Sequence, residues 1–388
     1  MVVRVAVSPR MLEWAQERSG VSRESLVGKP DFAKLPEWET GETHPTLKQL
    51  EKYARATHTP TGFFFLAVPP VELVPLPDFR TIAGQGIARP SADLLDTVYL
   101  CEQRQEWYRD FAYANREERV GFVGMCTTST PVLEAAAAMR DSLDFDFAHR
   151  PKFSTWAEAL SDLTERAEAA GLLVMRSGIV GSDSHRKLDP QEFRGFALVD
   201  DLAPVVFINT TDTKAAQIFT LAHELAHLRL GQSALDDLPG GGFSESDSED
   251  WCNQVAAEFL VPREELEQEH DSANGPTTKE LDRLACFFKV STLVVLRRIY
   301  ELGQISWDEY QVVYQEEQTR VLDIAAARRS RSGGNFYKTV PVRTSKRFAR
   351  AVITSTLEGK ILYRDAAHLL GFKKLSVLYK LGRDLGIA

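Results

Sequence analysis

Two histidines flank a glutamate in the stretch FTLAHELAHLRL, Phe219 to Leu230, which contains His223-Glu224-Leu225-Ala226-His227. Residues four apart on a helix project from one face about one turn apart. Both imidazoles can therefore reach one ion at about 2.0–2.1 Å, the Zn2+–nitrogen distance. Glu224, between them, is placed to hold a water rather than the ion and to take its proton as the oxygen attacks a carbonyl. The neighbours Phe219, Leu221, Ala222, Leu225, Ala226, Leu228 and Leu230 predict a buried helix. Two imidazoles and a carboxylate in such a helix are costly unless something satisfies them. The expected cofactor is Zn2+.

A third ligand must come from elsewhere in the chain. The downstream carboxylates are Asp236, Asp237, Glu245, Asp247, Glu249 and Glu258. Those from 236 to 247 fall in the acidic, Gly/Ser-rich stretch DDLPGGGFSESDSED, a poor platform for a preorganised ligand. Glu249 and Glu258 share a predicted helix over about 248–260, closed by Pro262. At about 100° per residue their nine-residue spacing puts them on opposite faces, so at most one can face the metal. Glu249 lies on a stripe with Asn253, Ala256 and Leu260, which suits packing on the His-bearing helix. We take Glu249 as the third ligand and Asn253 as a residue that steadies a ligand or the local backbone. Three protein ligands leave a position for water, the catalytic rather than the structural zinc arrangement.

The elements that carry these residues are legible by period and punctuation. Runs at 172–178, 193–200 and 204–209 are rich in Val, Ile and Phe with turn residues between them, and predict a small sheet. A helix over about Lys214–Leu230 follows, closed by Gly231. Upstream, 8–60 reads as short helices: Ser8 and Pro9 start one, Gly20 ends it, and a later one places Leu47, Leu50 and Ala54 on one stripe. Residues 69–90 are proline-punctuated but apolar and read as a packed connector, in which Asp78 and Arg80 are connector contacts. GQGIARP (84–90) and GGG (240–242) lack the lysine and the strand–loop–helix context of a phosphate-binding loop and read as turns. RRSRSGGN (328–335) is a linker by composition.

The domain expectation is therefore 1–68, a connector at 69–90, a domain over 91–329 with its core at 170–270, and a helical segment at 336–388. The fold class is α+β and predominantly helical. The net charge is −9, but residues 336–388 hold 11 Lys and Arg against 3 Asp and Glu. If a polyanion is bound through bulk charge, that tail binds it. Four widely spaced cysteines without a CxxC pair predict free thiols in a reducing compartment. No run of about 18 apolar residues exists and the N-terminal run is too short for a signal peptide, so the expected location is cytoplasmic with no membrane partner.

RGFALVDDLAPVVFINTTDTKAAQIFTLAHELAHLRL followed by EDWCNQVAAEFLVP resembles the ImmA/IrrE family of metallopeptidases over about residues 170–270. The resemblance implies a gluzincin-like metal site in a zincin-like domain, with His223, His227 and Glu249 as ligands and Glu224 as the catalytic glutamate. It also implies an intracellular regulatory protease, several relatives acting on a partner repressor. SPRMLEWAQERSGVSRESL, LPEWETGETHPTLKQLEKYARATHTPTGFFFL and PLPDFR resemble the Xre-type helix-turn-helix fused to such peptidases. Its recognition segment, GKPDFAKLPEWETGE, contains Pro30 and Pro36, which shorten or distort a helix, and residues 1–60 are close to neutral. A second helix–turn–helix is predicted in the tail, where Gly371 allows a tight turn and Lys373, Lys374, Lys380 and Arg383 cluster on or after the second helix. These four are candidate contacts to nucleic acid or to an acidic partner. His368 reads as a surface or half-buried residue, and Cys252 as a small core residue.

Two functions fit. The first is an intracellular zinc-dependent endopeptidase that cleaves a partner regulatory protein, a repressor or a toxin-related protein. The second is a non-proteolytic transcriptional regulator or antitoxin-like protein that uses the zincin fold and helix-turn-helix modules to bind a partner, encoded by a neighbouring gene, and DNA. A leaving-group acid or oxyanion donor would come from His270, Tyr300, Tyr310 or Tyr314.

Overall fold

In the computed structural model the described residues are 4–72, 90–235, 247–270, 275–328, 336–372 and 374–387. Asp78, Arg80, Asp236, Asp237, Glu245, the GGG run, Lys373 and all of GQGIARP but its last residue lie outside them. The chain divides into two compact units, the first formed by residues 4–72 with 90–99 and the second by the described residues from 100 onward.

The first unit is helical. Helix α1 (Pro9–Ser19) has proline in its first turn and ends at Gly20, whose φ of 63° is the left-handed conformation that glycine adopts without strain. Helix α2 (Arg23–Val27) is capped by Ser22. A 3-10 turn at Pro30–Phe32 and a five-residue helix, α3 (Leu35–Glu39), follow, and each proline stands in a first turn, where its missing N–H costs nothing. Helix α4 (Leu47–Ala56) opens with a capping box, in which Gln49 N donates to Thr46 Oγ1 at 3.2 Å and Thr46 N donates to Gln49 Oε1 at 3.0 Å. Met11, Leu12, Leu26, Phe32, Leu35, Trp38, Leu50, Tyr53 and Phe64 form the core. Leu47, predicted to share the buried stripe, is 46% exposed, and Tyr53 takes its place. The side chain of Arg18 ties the unit together through Glu72 at 2.6 Å, Asp96 at 2.8 Å and His58 O at 2.9 Å.

Helix α5 (Ala92–Ala114) begins in the first unit and continues into the second. After it come α6 (Val132–Ser142) and α7 (Trp156–Ala169), then β1 (Leu173–Ser177), β2 (Gly195–Leu198) and β3 (Val205–Asn209). Helix α8 (Lys214–Leu230) leads to a two-residue strand, β4 (Ala234–Leu235), which the sequence did not reveal because a run that short has no period. The helices α9 (Asp247–Leu260), α10 (Arg263–Glu269), α11 (Thr278–Phe288), α12 (Thr292–Glu301) and α13 (Trp307–Arg328) follow. The tail forms α14 (Phe336–Thr344), α15 (Lys346–Leu357), α16 (Tyr363–Leu370) and α17 (Leu375–Asp384). The described chain is thus predominantly helical with one small sheet, an α+β arrangement.

The sheet order is β1-β3-β2-β4, with β1 and β3 parallel and the other neighbours antiparallel. Both faces are covered, which is why β2 and β3 are buried at every residue rather than alternately. Val174, Ala197, Val206 and Ile208 share a core with Ile218, Leu221 and Leu225 of α8. The opposite face carries Phe193, Phe196 and Phe207, the last two stacked with centroids 5.0 Å apart. Burying each such ring contributes about 1.5–3 kcal/mol. The tail packs within the same unit: Glu168 on α7 accepts from Ser345 Oγ at 2.6 Å and from Lys346 N at 2.8 Å, holding the start of α15. Among the described residues no helix is long and apolar enough to cross a membrane.

Candidate metal centre

Helix α8 is fixed at both ends. Thr213 caps it by accepting from Ala216 N at 3.2 Å, and Gly231 closes it with φ 67°. Its last carbonyls are met by a passing loop, Gly124 N donating to Leu228 O at 3.0 Å and Cys126 N to Arg229 O at 2.9 Å. Between these ends lie His223, Glu224 and His227, all buried, with Glu224 and His227 fully enclosed. On α9, Glu249, in the first turn, points at the two histidines, while Glu258 turns away to pair with Arg298 and to accept from Arg263 N at 3.2 Å.

The ring nitrogens and the carboxylate converge. His223 Nε2 and His227 Nε2 are 3.0 Å apart, His223 Nε2 is 3.3 Å from Glu249 Oε2, and His227 Nε2 is 2.9 Å from Glu249 Oε1. His223, His227 and Glu249 form the group of His, Cys, Asp or Glu side chains among the described residues that could hold an ion. A tetrahedral ion with ligands at about 2.0–2.1 Å separates those ligands by about 3.3 Å, close to what is found here. Were each imidazole to donate Nε2–H to its own Glu249 oxygen, two N–H groups would face one another at 3.0 Å, whereas a cation accepts all the converging lone pairs. The donor set therefore fits a divalent cation.

The electrostatics agree. Burial pushes the Glu249 carboxyl upward, but the hydrogen bonds and charge of His223 and His227 outweigh it and hold it well below the usual carboxylate range. Burial lowers the pKa of His227, against the opposing pull of Glu249. Both directions favour the deprotonated forms that metal binding needs.

The residue that brings Glu224 to the sheet is Gly195, in β2. A Cβ there would stand 2.6 Å from Thr220 Cγ2, 2.9 Å from Phe207 O and 3.0 Å from Glu224 Oε1. Only glycine lets α8 approach β2 this closely. Nothing in the sequence marked it, since a glycine in a short strand run signals a bulge or a close approach without saying of what.

The other candidates lie as follows. Asn253 is half-buried one turn beyond Glu249, and among the described residues no hydrogen bond joins it to the three ligands. The neighbouring Trp251 fastens α9 by donating from Nε1 to Thr130 O at 2.8 Å. Cys252 is buried. His270 faces Glu280 at 3.4 Å, and Tyr300, Tyr310 and Tyr314 join Trp307 in an aromatic cluster between α12 and α13. In the tail, Lys374 and Arg383 are exposed at either end of α17 and Lys380 is half-buried. The same helix exposes Leu375 and Tyr379, and His368 is exposed on α16.

Residues 167–300 match the peptidase M78 model, described as an IrrE N-terminal-like domain. The match runs from the end of α7 through the sheet, α8 and α9 to α12, about a third of the chain. It supports the likeness to ImmA/IrrE metallopeptidases, and it does not reach the first unit. Residues 344–384 match a domain of unknown function, DUF8813. No curated protein matches the chain.

Proposed function

We propose that this protein is a zinc-dependent regulatory endopeptidase whose substrate is a partner regulatory protein. The observation that carries the reading is the convergence of His223, His227 and Glu249 within 3.3 Å of one another, beside the enclosed Glu224. Two imidazoles and one carboxylate are the donor set of hydrolytic zinc sites, and these three residues would hold the ion. When bound, such an ion supplies Lewis acidity, which activates water at neutral pH and polarises a peptide carbonyl.

The chain's own residues do the rest. Glu224, packed against Gly195 and 0% exposed, is a base shielded from bulk water. Its carboxylate takes the proton of the attacking water and passes it to the departing amine. Strand β4 flanks β2 on the outer side of the sheet, where an extended substrate segment can pair by backbone hydrogen bonds. Helices α16 and α17, joined through Gly371 at φ 72°, form a helix–turn–helix that presents Lys374 and Arg383 with Tyr379, and this pair serves to dock nucleic acid or an acidic partner. Helices α1–α4 of the first unit serve as an Xre-like module, in which the prolines shorten the segment that would read DNA.

The test uses the full-length protein with the repressor or toxin-like protein encoded beside it. Glu224→Gln is expected to keep its metal and lose cleavage. A variant with unchanged cleavage would overturn the enzymatic reading, and one with full biological effect but no cleavage would favour the binding-module alternative.

A further inference from the structure

A cavity of about 570 Å³ opens in the second unit between α5, the turn after β1 and the corner joining α16 to α17. Leu100, Ala367 and Phe372 give it an apolar wall, and among the described residues no Asp or Glu lines it. Arg104 projects from α5 into this space while being 4% exposed overall. Its Nε donates to Leu369 O at 3.0 Å, and its Nη1 lies 3.8 Å from Met175 Sδ, a weak acceptor. A guanidinium has five N–H donors, so these two contacts leave donors to spare on a side chain that lines the cavity.

No described carboxylate balances this charge. The ionised neighbour that acts on Arg104 is a second guanidinium, Arg343, whose Nη1 donates to Gly181 O at 3.4 Å on the cavity's edge. Burial first, and Arg343 after it, lower the Arg104 pKa to about 10, which leaves it charged at neutral pH. Arg18 pairs with Glu72 and Asp96, and Arg298 with Glu258 and Glu301. Arg150, like Arg104, is buried with no ion pair to a described carboxylate, lying over the Phe145 ring and donating to Phe288 O. Arg104 differs from Arg150 in lining a cavity. A buried charge without a counter-charge is unfavourable unless a ligand supplies one. The Tyr363 hydroxyl, on the same wall, is buried and has no hydrogen-bond partner among the described residues. Arg364 and His368 add cationic or polar groups from the exposed side of α16.

We propose that this cavity binds a small organic anion, its carboxylate or phosphate head on the Arg104 guanidinium and the Tyr363 hydroxyl and its apolar body against Leu100 and Phe372. The site shares no residue with the metal centre, so it stands whether or not the protein is a peptidase. Its position gives it a consequence. Arg104 touches β1 through Met175 and α16 through Leu369, so an anion there bridges the segment similar to IrrE and the segment matched by the domain of unknown function. Occupancy would stiffen the seat of α16 and α17, an effector role for a metabolite-sized acid.

Titration calorimetry on the metal-loaded full-length protein tests this with three probes of one shape: benzoate, phenyl phosphate and the neutral benzamide. At least one anion is expected to bind at least tenfold more tightly than benzamide. Tighter benzoate assigns a carboxylate ligand and tighter phenyl phosphate assigns a phosphate. Arg104→Met should weaken that binding at least tenfold. Ser182→Trp, on the exposed rim, should block the cavity without touching the core, and it decides the matter if circular dichroism shows Arg104→Met to be misfolded. Equal binding of benzamide and both anions would overturn the proposal. So would anion binding that survives Ser182→Trp, since the anion would then sit elsewhere, the metal centre included.

Discussion

Glu249 and Gly195 show how differently single residues announce themselves. Glu249 was legible because its competitor Glu258 lies nine residues on, half a turn out of phase, and helical geometry alone separates them. Gly195 was silent because its reason lies on another element: Thr220 and Glu224 of α8 occupy the space a side chain would need. Gly195→Ala should therefore destabilise the protein by about 1–3 kcal/mol, the usual cost of overpacking, and displace Glu224 from the sheet. Urea denaturation and a cleavage assay on the same variant read both effects, and a stable, fully active variant would contradict the packing described. Glu224→Gln should lower cleavage by about 10²–10⁴-fold, the usual contribution of a general base, while metal content stays unchanged.

At the scale of elements, the His-bearing helix and the three main strands were readable from local period and punctuation. The order of the strands was not, because β3 inserts between β1 and β2 by contacts that no local pattern encodes. The seat of the tail was equally hidden, resting on Arg104–Leu369 and Glu168–Ser345, pairs far apart in the chain. Glu168 gives that seat a testable energy. Glu168→Ala removes the acceptor for Ser345 Oγ and Lys346 N and should cost about 1–3 kcal/mol, read by chemical denaturation. Burial raises the Glu168 pKa above its ordinary 4.5, although the bonds from Ser345 and Lys346 oppose this. The folded state then holds the proton more tightly than the unfolded chain, so this group's contribution is greatest below pH 4.5 and declines as pH rises through its folded value. Compared with Glu168→Gln, the wild type should gain stability as pH falls from 7 toward 4.5. A constant difference between the two proteins would contradict that account.

At the scale of the molecule, thiol accessibility offers an independent check on the packing of the second unit, which holds all four cysteines. Cys101, Cys126 and Cys252 are buried, burial pushing the Cys101 thiol up to about 12, while Cys286 is exposed. In the native protein a thiol reagent should modify Cys286 promptly and the other three only on unfolding; rapid reaction of all four would mean a looser molecule than this one. The central claim, that α8 and α9 together build a metal centre, is tested most directly by elemental analysis of freshly purified protein. About one zinc per chain is expected for a site of three protein ligands, retained in Glu224→Gln and lost in His223→Ala, His227→Ala and Glu249→Ala. Protein that is folded by circular dichroism, purified without chelator and free of zinc or any other divalent metal would contradict it.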